Sequence, residues 1–122
     1  MSKKRKISPR AGKAKGRRLQ NTVRDLLLEA FKGELEQDDV RGAIMGESGM
    51  DIKYSPKAKR LIPYAIECKN QESLSIWSSL EQAEENCPDD MTPTLIFKRN
   101  RSKTYAVIEL DKFIKLISEK SK

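Results

Sequence analysis

Residues 61–71 read LIPYAIECKNQ, an apolar run that ends in Glu67, Cys68 and Lys69. The run is short and holds β-branched and aromatic residues. Pro63 stands near its start, where a missing N–H is tolerated. It predicts a strand buried on both faces, of the kind that lies inside a sheet covered by helices. Side chains alternate along a strand, so Glu67 and Lys69 share a face that Gln71 extends, while Cys68 points the other way. The run by itself does not separate two solvated charges from a reactive pair.

Asp51 lies 16 residues before Glu67, at the start of MDIKYS (50–55). The segment SPKAKR (55–60) predicts a turn. It makes the flanking strands antiparallel neighbours and sets Asp51 beside Glu67. Two carboxylates meeting at one point repel unless a cation joins them, and a hard divalent ion such as Mg²⁺ suits oxygen ligands and retained water. The backbone carbonyl of Cys68, between the two side chains, is a third candidate ligand. Lys69 then stands beside the nucleophilic water, to orient it, assist its deprotonation or stabilise transition-state charge. That set is sufficient for phosphodiester hydrolysis.

The chain contains no histidine, which excludes His-based triads and Cys/His zinc sites. Its two cysteines, Cys68 and Cys87, are expected as reduced, packed thiols in a cytoplasmic protein. No apolar run approaches membrane-spanning length, and the basic start is not followed by an apolar segment, so neither membrane nor secretion is indicated.

The 122 residues carry 25 Lys or Arg against 18 Asp or Glu. Nine of the basic residues, and no acid, fall in residues 1–18, so the remainder is close to neutral. Residues 1–16 are therefore expected as a flexible basic tail and 17–122 as the folded domain. Such a tail, with Arg17 and Arg18 at its end, suits a polyanion gripped through phosphates without sequence readout. Lys57, Lys59 and Arg60 form a basic turn near the proposed site. Lys98, Arg99 and Arg101 form a second cluster. Lys53 shares a face with Asp51, and Gln71 extends the Glu67–Lys69 face. All are candidate DNA contacts, each set against an ordinary solvated position.

In GRRLQNTVRDLLLEAFKGEL (16–35), Leu19, Val23, Leu26, Leu27, Ala30 and Phe31 define one helix face. Short strands are expected in DVRGAIMGESG (39–49) and MDIKYS. A second helix follows Ser75 and stops at Pro88. TPTLIFK (92–98) and KTYAVIEL (103–110) are strands, and Asp111 caps a last helix. Trp77 is expected as a core or subunit-interface anchor. The order is helix, three strands, helix, two strands, helix.

SGMDI (48–52) followed by IECKNQ (66–71) resembles the PD-(D/E)xK nuclease signature. The element order is similar to the αβββαβ core of the restriction-endonuclease-like superfamily. The implied class is α/β with a mixed central sheet, plus an extra strand and a C-terminal helix. Within that superfamily the chain most resembles small Holliday-junction-resolvase-like endonucleases, including short phage-encoded ones. The resemblance implies a Mg²⁺-dependent DNA endonuclease, with Mn²⁺ able to substitute. It also implies branched DNA as substrate, a homodimer, and the host cytoplasm if phage-encoded.

Such resolvases carry a glutamate four residues past a KG pair in the first helix. Here KGRRLQ (15–20) puts Gln20 at that place, so Gln20 supports the metal site through its amide, with Glu29 as the alternative. Ser48 corresponds to a backbone-contacting serine. The rivals are a nicking, flap or linear-duplex endonuclease of the same fold, and a non-catalytic nucleic-acid-binding protein.

Overall fold

The first helix is longer than its apolar stripe predicts. In the computed structural model, which describes residues 9–120, α1 spans Pro9–Ala30. Residues 9–16 are thus helical rather than part of a flexible tail. Proline suits a first helical position because its missing N–H has no partner there anyway, and the Ala, Lys and Arg that follow are good helix formers. The added turns are anchored to the sheet, since Asn70 donates its side-chain amide to the Lys15 carbonyl at 3.2 Å. Lys3, Lys4, Arg5 and Lys6 lie outside the described residues.

A single 3₁₀ turn at Gln37–Asp39 leads into β1 (Val40–Gly42), which pairs antiparallel with β2 (Ile52–Tyr54). The segment expected as a turn is a short helix, α2 (Pro56–Leu61). Ser55 caps it by accepting the Ala58 N–H at 3.1 Å, Pro56 takes the first position, and fully buried Ala58 fixes it to the core. β3 (Tyr64–Asn70) follows, then α3 (Ile76–Glu85), β4 (Thr92–Lys98), β5 (Tyr105–Val107) and α4 (Leu110–Lys120).

β3 and β4 are parallel, β4 and β5 antiparallel, so the three-stranded sheet is mixed, in the order β3-β4-β5. The fold is the α/β arrangement expected of a restriction-endonuclease-like core, with β5 and α4 as additions. The expected ladder between the second and third strands is reduced to a single backbone bond, Asp51 N–H to Ile66 O at 3.0 Å. Beyond it the strands part, and the Tyr54 hydroxyl spans the gap to the Tyr64 carbonyl at 2.8 Å. The cause is α2, which occupies six residues where a tight turn would have kept the strands together.

The core lies between α1, β1, β2 and one face of β3. Leu19 and Val23 from α1 meet Val40, Ile52, Ile66 and Cys68. Each fully buried Val or Ile here contributes about 1.5–3 kcal/mol over an exposed one. α3 covers the opposite face of β3 and β4. The double coverage explains the unbroken apolar run of β3. The described residues include no helix long and apolar enough to cross a membrane.

Candidate active site

With β4 on one side of β3 and β2 peeling away on the other, β3 presents a partly free edge between α1 and α3. A cavity of about 750 Å³ opens along this edge. Asp51, Glu67, Cys68 and Lys69 form part of its lining, and α1 contributes Gln20. The sequence-predicted acids, lysine and amide therefore converge on one site.

Asp51 is held from three directions. Its backbone N–H reaches the Ile66 carbonyl, its carbonyl accepts the Ala43 N–H at 2.7 Å, and its Oδ2 accepts the Cys68 N–H at 2.7 Å. A strand residue that exchanges bonds with a neighbour points N–H and C=O to one side. The Cys68 carbonyl thus faces the same edge as its N–H, toward Asp51. Glu67 is 3% exposed, and its Oε2 accepts the Asn86 side-chain amide at 3.3 Å. Lys69 Nζ stands 3.9 Å from Glu67 Oε1. Gln20 enters over Gly42, where a Cβ would come within 3.1 Å of Gln20 Oε1, so a larger residue there would push the amide away.

Burial pushes the carboxyl groups of Asp51 and Glu67 above the usual range. The Cys68 N–H and Lys69 oppose that shift at Asp51, whereas the charge of Asp51 adds to it at Glu67. The two carboxyls therefore resist ionising together, and a cation between them would relieve that repulsion. Burial, then the two carboxylates, also pushes up the Cys68 thiol, which stays neutral and belongs to the core rather than to the chemistry.

Among the described residues no three His, Cys, Asp or Glu side chains cluster as a metal site. The donors that do converge are two carboxylates, the Gln20 amide and a backbone carbonyl, all oxygens. A buried and a half-buried carboxyl side by side, with such donors lining the same cavity, fit a hard divalent cation. Glu29 is exposed and does not line the cavity.

The candidate DNA contacts divide by position. Arg17 lines the cavity, in a stripe with Lys13, Gln20 and Arg24 at helical spacing. Arg18, one position round, faces away and is exposed. Lys53 donates to the Ser48 carbonyl at 2.6 Å and so braces the β1–β2 loop from within. Ser48 is exposed and outside the cavity lining. Lys57, Lys59 and Arg60 ride on α2, away from the cavity, and Lys59 is paired with Asp90 at 3.0 Å. Gln71 donates its backbone N–H to the Lys98 carbonyl at 3.1 Å. That bond joins the ends of β3 and β4, and Arg99 and Arg101 follow in the exposed β4–β5 turn. Trp77 is 80% exposed and is not a core anchor.

Sequence reasoning missed Gln82, Asn86, Lys13, Arg24 and the loop residues Ile44 and Met45. For Lys13 and Arg24 the signal was present, since both stand at i, i+3/i+4 steps from Arg17 and Gln20. Gln82 and Asn86 are also one turn apart. Nothing in the sequence says which flank of α3 looks toward β3.

No curated protein and no solved structure matches the chain. Residues 11–122 match the model of the family described as "Phage putative PDDEXK endonuclease". The match spans the acid pair, the lysine, the α1 amide and every strand of the sheet, and the chain belongs to that family.

Proposed function

We propose that the protein is a Mg²⁺-dependent DNA endonuclease that prefers branched DNA, in the manner of a Holliday junction resolvase, and acts as a homodimer. The supporting observation is that Asp51 and Glu67 line one cavity together with Lys69, 3.9 Å from Glu67, and a basic stripe of α1. Asp51, Glu67, Gln20 and the Cys68 carbonyl hold the cation, and Mn²⁺ substitutes. When bound, the cation polarises a phosphoryl oxygen and lowers the pKa of water.

Lys69 orients the attacking water and offsets charge that builds on the phosphate. The water oxygen bonds to phosphorus as one of its protons passes to solvent, the P–O bond to the leaving strand breaks, and the leaving oxygen takes up a proton from solvent. Arg17, Lys13 and Arg24 fix the backbone over the floor. Lys98 at the end of β4, with Arg99 and Arg101 beyond it, contacts phosphates further along. Arg18, Ser48, Lys53, Lys57, Lys59, Arg60 and Gln71 remain outer contacts in this reading.

Cleavage of a four-way junction in competition with linear duplex tests it, with Mg²⁺, Mn²⁺ and no metal, beside Lys69→Ala and Asp51→Ala. Junction cleavage that needs metal and both side chains is expected. Equal cleavage of linear duplex replaces the resolvase by a nicking, flap or duplex endonuclease. Cleavage that survives both substitutions overturns the catalytic assignment.

A further inference from the structure

Two large apolar side chains, Ile44 and Met45, stand 69% and 75% exposed at the rim of the catalytic cavity. Isolated exposed apolar residues are ordinary. This pair is adjacent, and the turn that carries it is braced. The Glu47 N–H donates to the Ile44 carbonyl at 3.0 Å, and the Ile44 N–H donates back to Glu47 Oε1 at 2.9 Å. Arg41 grips the same carboxylate with both terminal nitrogens, at 2.9 and 2.8 Å. Gly46, with φ +87°, turns the chain where a side chain would be strained. Below, Lys53 holds the Ser48 carbonyl. A loop fixed by this many bonds, yet holding its apolar residues in water, is built to present them.

We infer that the 43–47 turn is a wedge that enters the base stack of DNA bound at the cavity, with Ile44 and Met45 as the inserting side chains. The inference rests on the nuclease reading of the cavity. Arg17 and Arg24 of α1 line the same cavity as the pair, and such cations hold backbone phosphates while apolar side chains part a base step. Ile44 is stiff at its β-branch and Met45 adapts to the gap it enters.

Parting stacked bases costs free energy that depends on the step and on whether it is already open. A branch point, nick or mismatch has met that cost beforehand. The wedge therefore converts a local distortion into tighter binding without reading any base, and so supplies a physical source of structure selectivity.

The test uses the full chain, without metal, on a panel of linear duplexes and four-way junctions each carrying one 2-aminopurine. Anisotropy reports binding and 2-aminopurine fluorescence reports unstacking. At saturation the wild-type chain is expected to brighten at least one position severalfold. The Ile44→Ser/Met45→Ser variant should bind but lose that rise and lose at least threefold of the junction preference. Ile44→Val/Met45→Leu should keep both. Both sites are exposed, so circular dichroism should confirm folding of each variant.

A saturated wild-type complex that brightens at no position overturns the wedge, as does equal brightening by the serine variant. Loss of self-association by that variant, with no brightening by the wild type, identifies a protein contact instead. Cleavage is scored separately with Mg²⁺ or Mn²⁺. A chain that brightens DNA but never cuts it defeats the nuclease reading and leaves the wedge standing. A chain that binds no DNA defeats both.

Discussion

At the scale of single residues, Lys69 and Asp51 make opposite demands on the fold. Lys69 is 20% exposed in its side chain, stands 3.9 Å from buried Glu67 and also acts on Asp51, so its charge offsets both carboxylates in the folded state. Lys69→Ala is expected to lower the metal-free melting temperature while slowing metal-dependent cleavage by ~10²–10³-fold, the range for losing one group that stabilises transition-state charge. Asp51 instead destabilises the metal-free protein. Its carboxyl and that of Glu67 both titrate above their ordinary values, chiefly through burial. An acid with a raised folded pKa binds its proton more tightly when folded, so metal-free stability falls as pH rises from the unfolded toward the folded pKa. Asp51→Asn removes one charge of the pair. The variant should melt several degrees higher than wild type at pH 7 without metal, and should lose most of the rise that Mg²⁺ or Mn²⁺ gives the wild type. A calorimetric scan at pH 5 and pH 7, with and without metal, checks both; a metal-free Asp51→Asn that melts lower would refute the charge-repulsion account. Glu67 and Lys69 were legible in the sequence because strand alternation is a local rule. Cys68 was legible for the same reason, on the opposite face.

At the scale of elements, what was legible depended on how far each feature lies from its own neighbours in the chain. The strand over 61–69 and the strand over 92–98 followed from composition and bounding prolines, and the structure places them at Tyr64–Asn70 and Thr92–Lys98. The α2 helix was written in its Ser-Pro start, a cap followed by a first-turn proline, and the turn reading undervalued it. Asn86 was not legible, because its bond to Glu67 depends on how α3 crosses the sheet. Removing that donor leaves Glu67 with one fewer bond to its charged form, so its carboxyl should rise further. Asn86→Ala is expected to raise the metal concentration for half-maximal cleavage about 3–10-fold, with a smaller effect on the rate at saturating metal, in keeping with the loss of a bond that orients a ligand. A metal titration of cleavage separates the two. In the β1–β2 loop, the Arg41 guanidinium and then the Ile44 N–H hold Glu47 down from 4.5 to about 2. A depressed acid supports the fold fully above its unfolded pKa, and that support is lost as pH falls from about 4.5 through about 2. The protection factor of the Ile44 amide, its exchange measured against the intrinsic rate at each pH, should therefore fall across that window, ahead of amides in β3. An unchanged protection factor between pH 5 and pH 3 would mean that the ion pair does not brace the turn.

At the scale of the whole molecule, α4 is a helix without a core. Its apolar residues Leu110, Phe113, Ile114, Leu116 and Ile117 are all exposed, and Trp77 and Tyr105 join them in the exposed set. Glu84 of α3 acts on Glu109 at the start of α4, and Trp77 stands two turns before Glu84 on the same flank of α3. Tyr105 stacks on Phe97 on the sheet face that α3 covers. Among these residues Tyr105 lies on β5 itself, and α4 follows β5 in the chain. At about 200 Å² for a fully exposed side chain of this size, they present about 800 Å², one partner's share of a standard interface. An antiparallel pairing of two α4 helices about a two-fold axis between Phe113 and Ile114 would set Leu110 of one copy against Ile117 of the other. It would also bring Asp111 near Lys115, opposite charges on one flank. None of these residues lines the cavity, so such a pairing would leave the cavity of each copy open to DNA. The proposed homodimer should therefore appear in sedimentation at micromolar concentration. Phe113→Asp/Ile117→Asp should give a folded monomer with an unchanged circular dichroism spectrum, since neither side chain is buried within one copy. That monomer should nick one strand of a junction and fail to cut the symmetric pair. A wild-type chain that stays monomeric at 50-fold higher concentration would remove the dimer from the reading and leave the α4 face without a second copy to cover it.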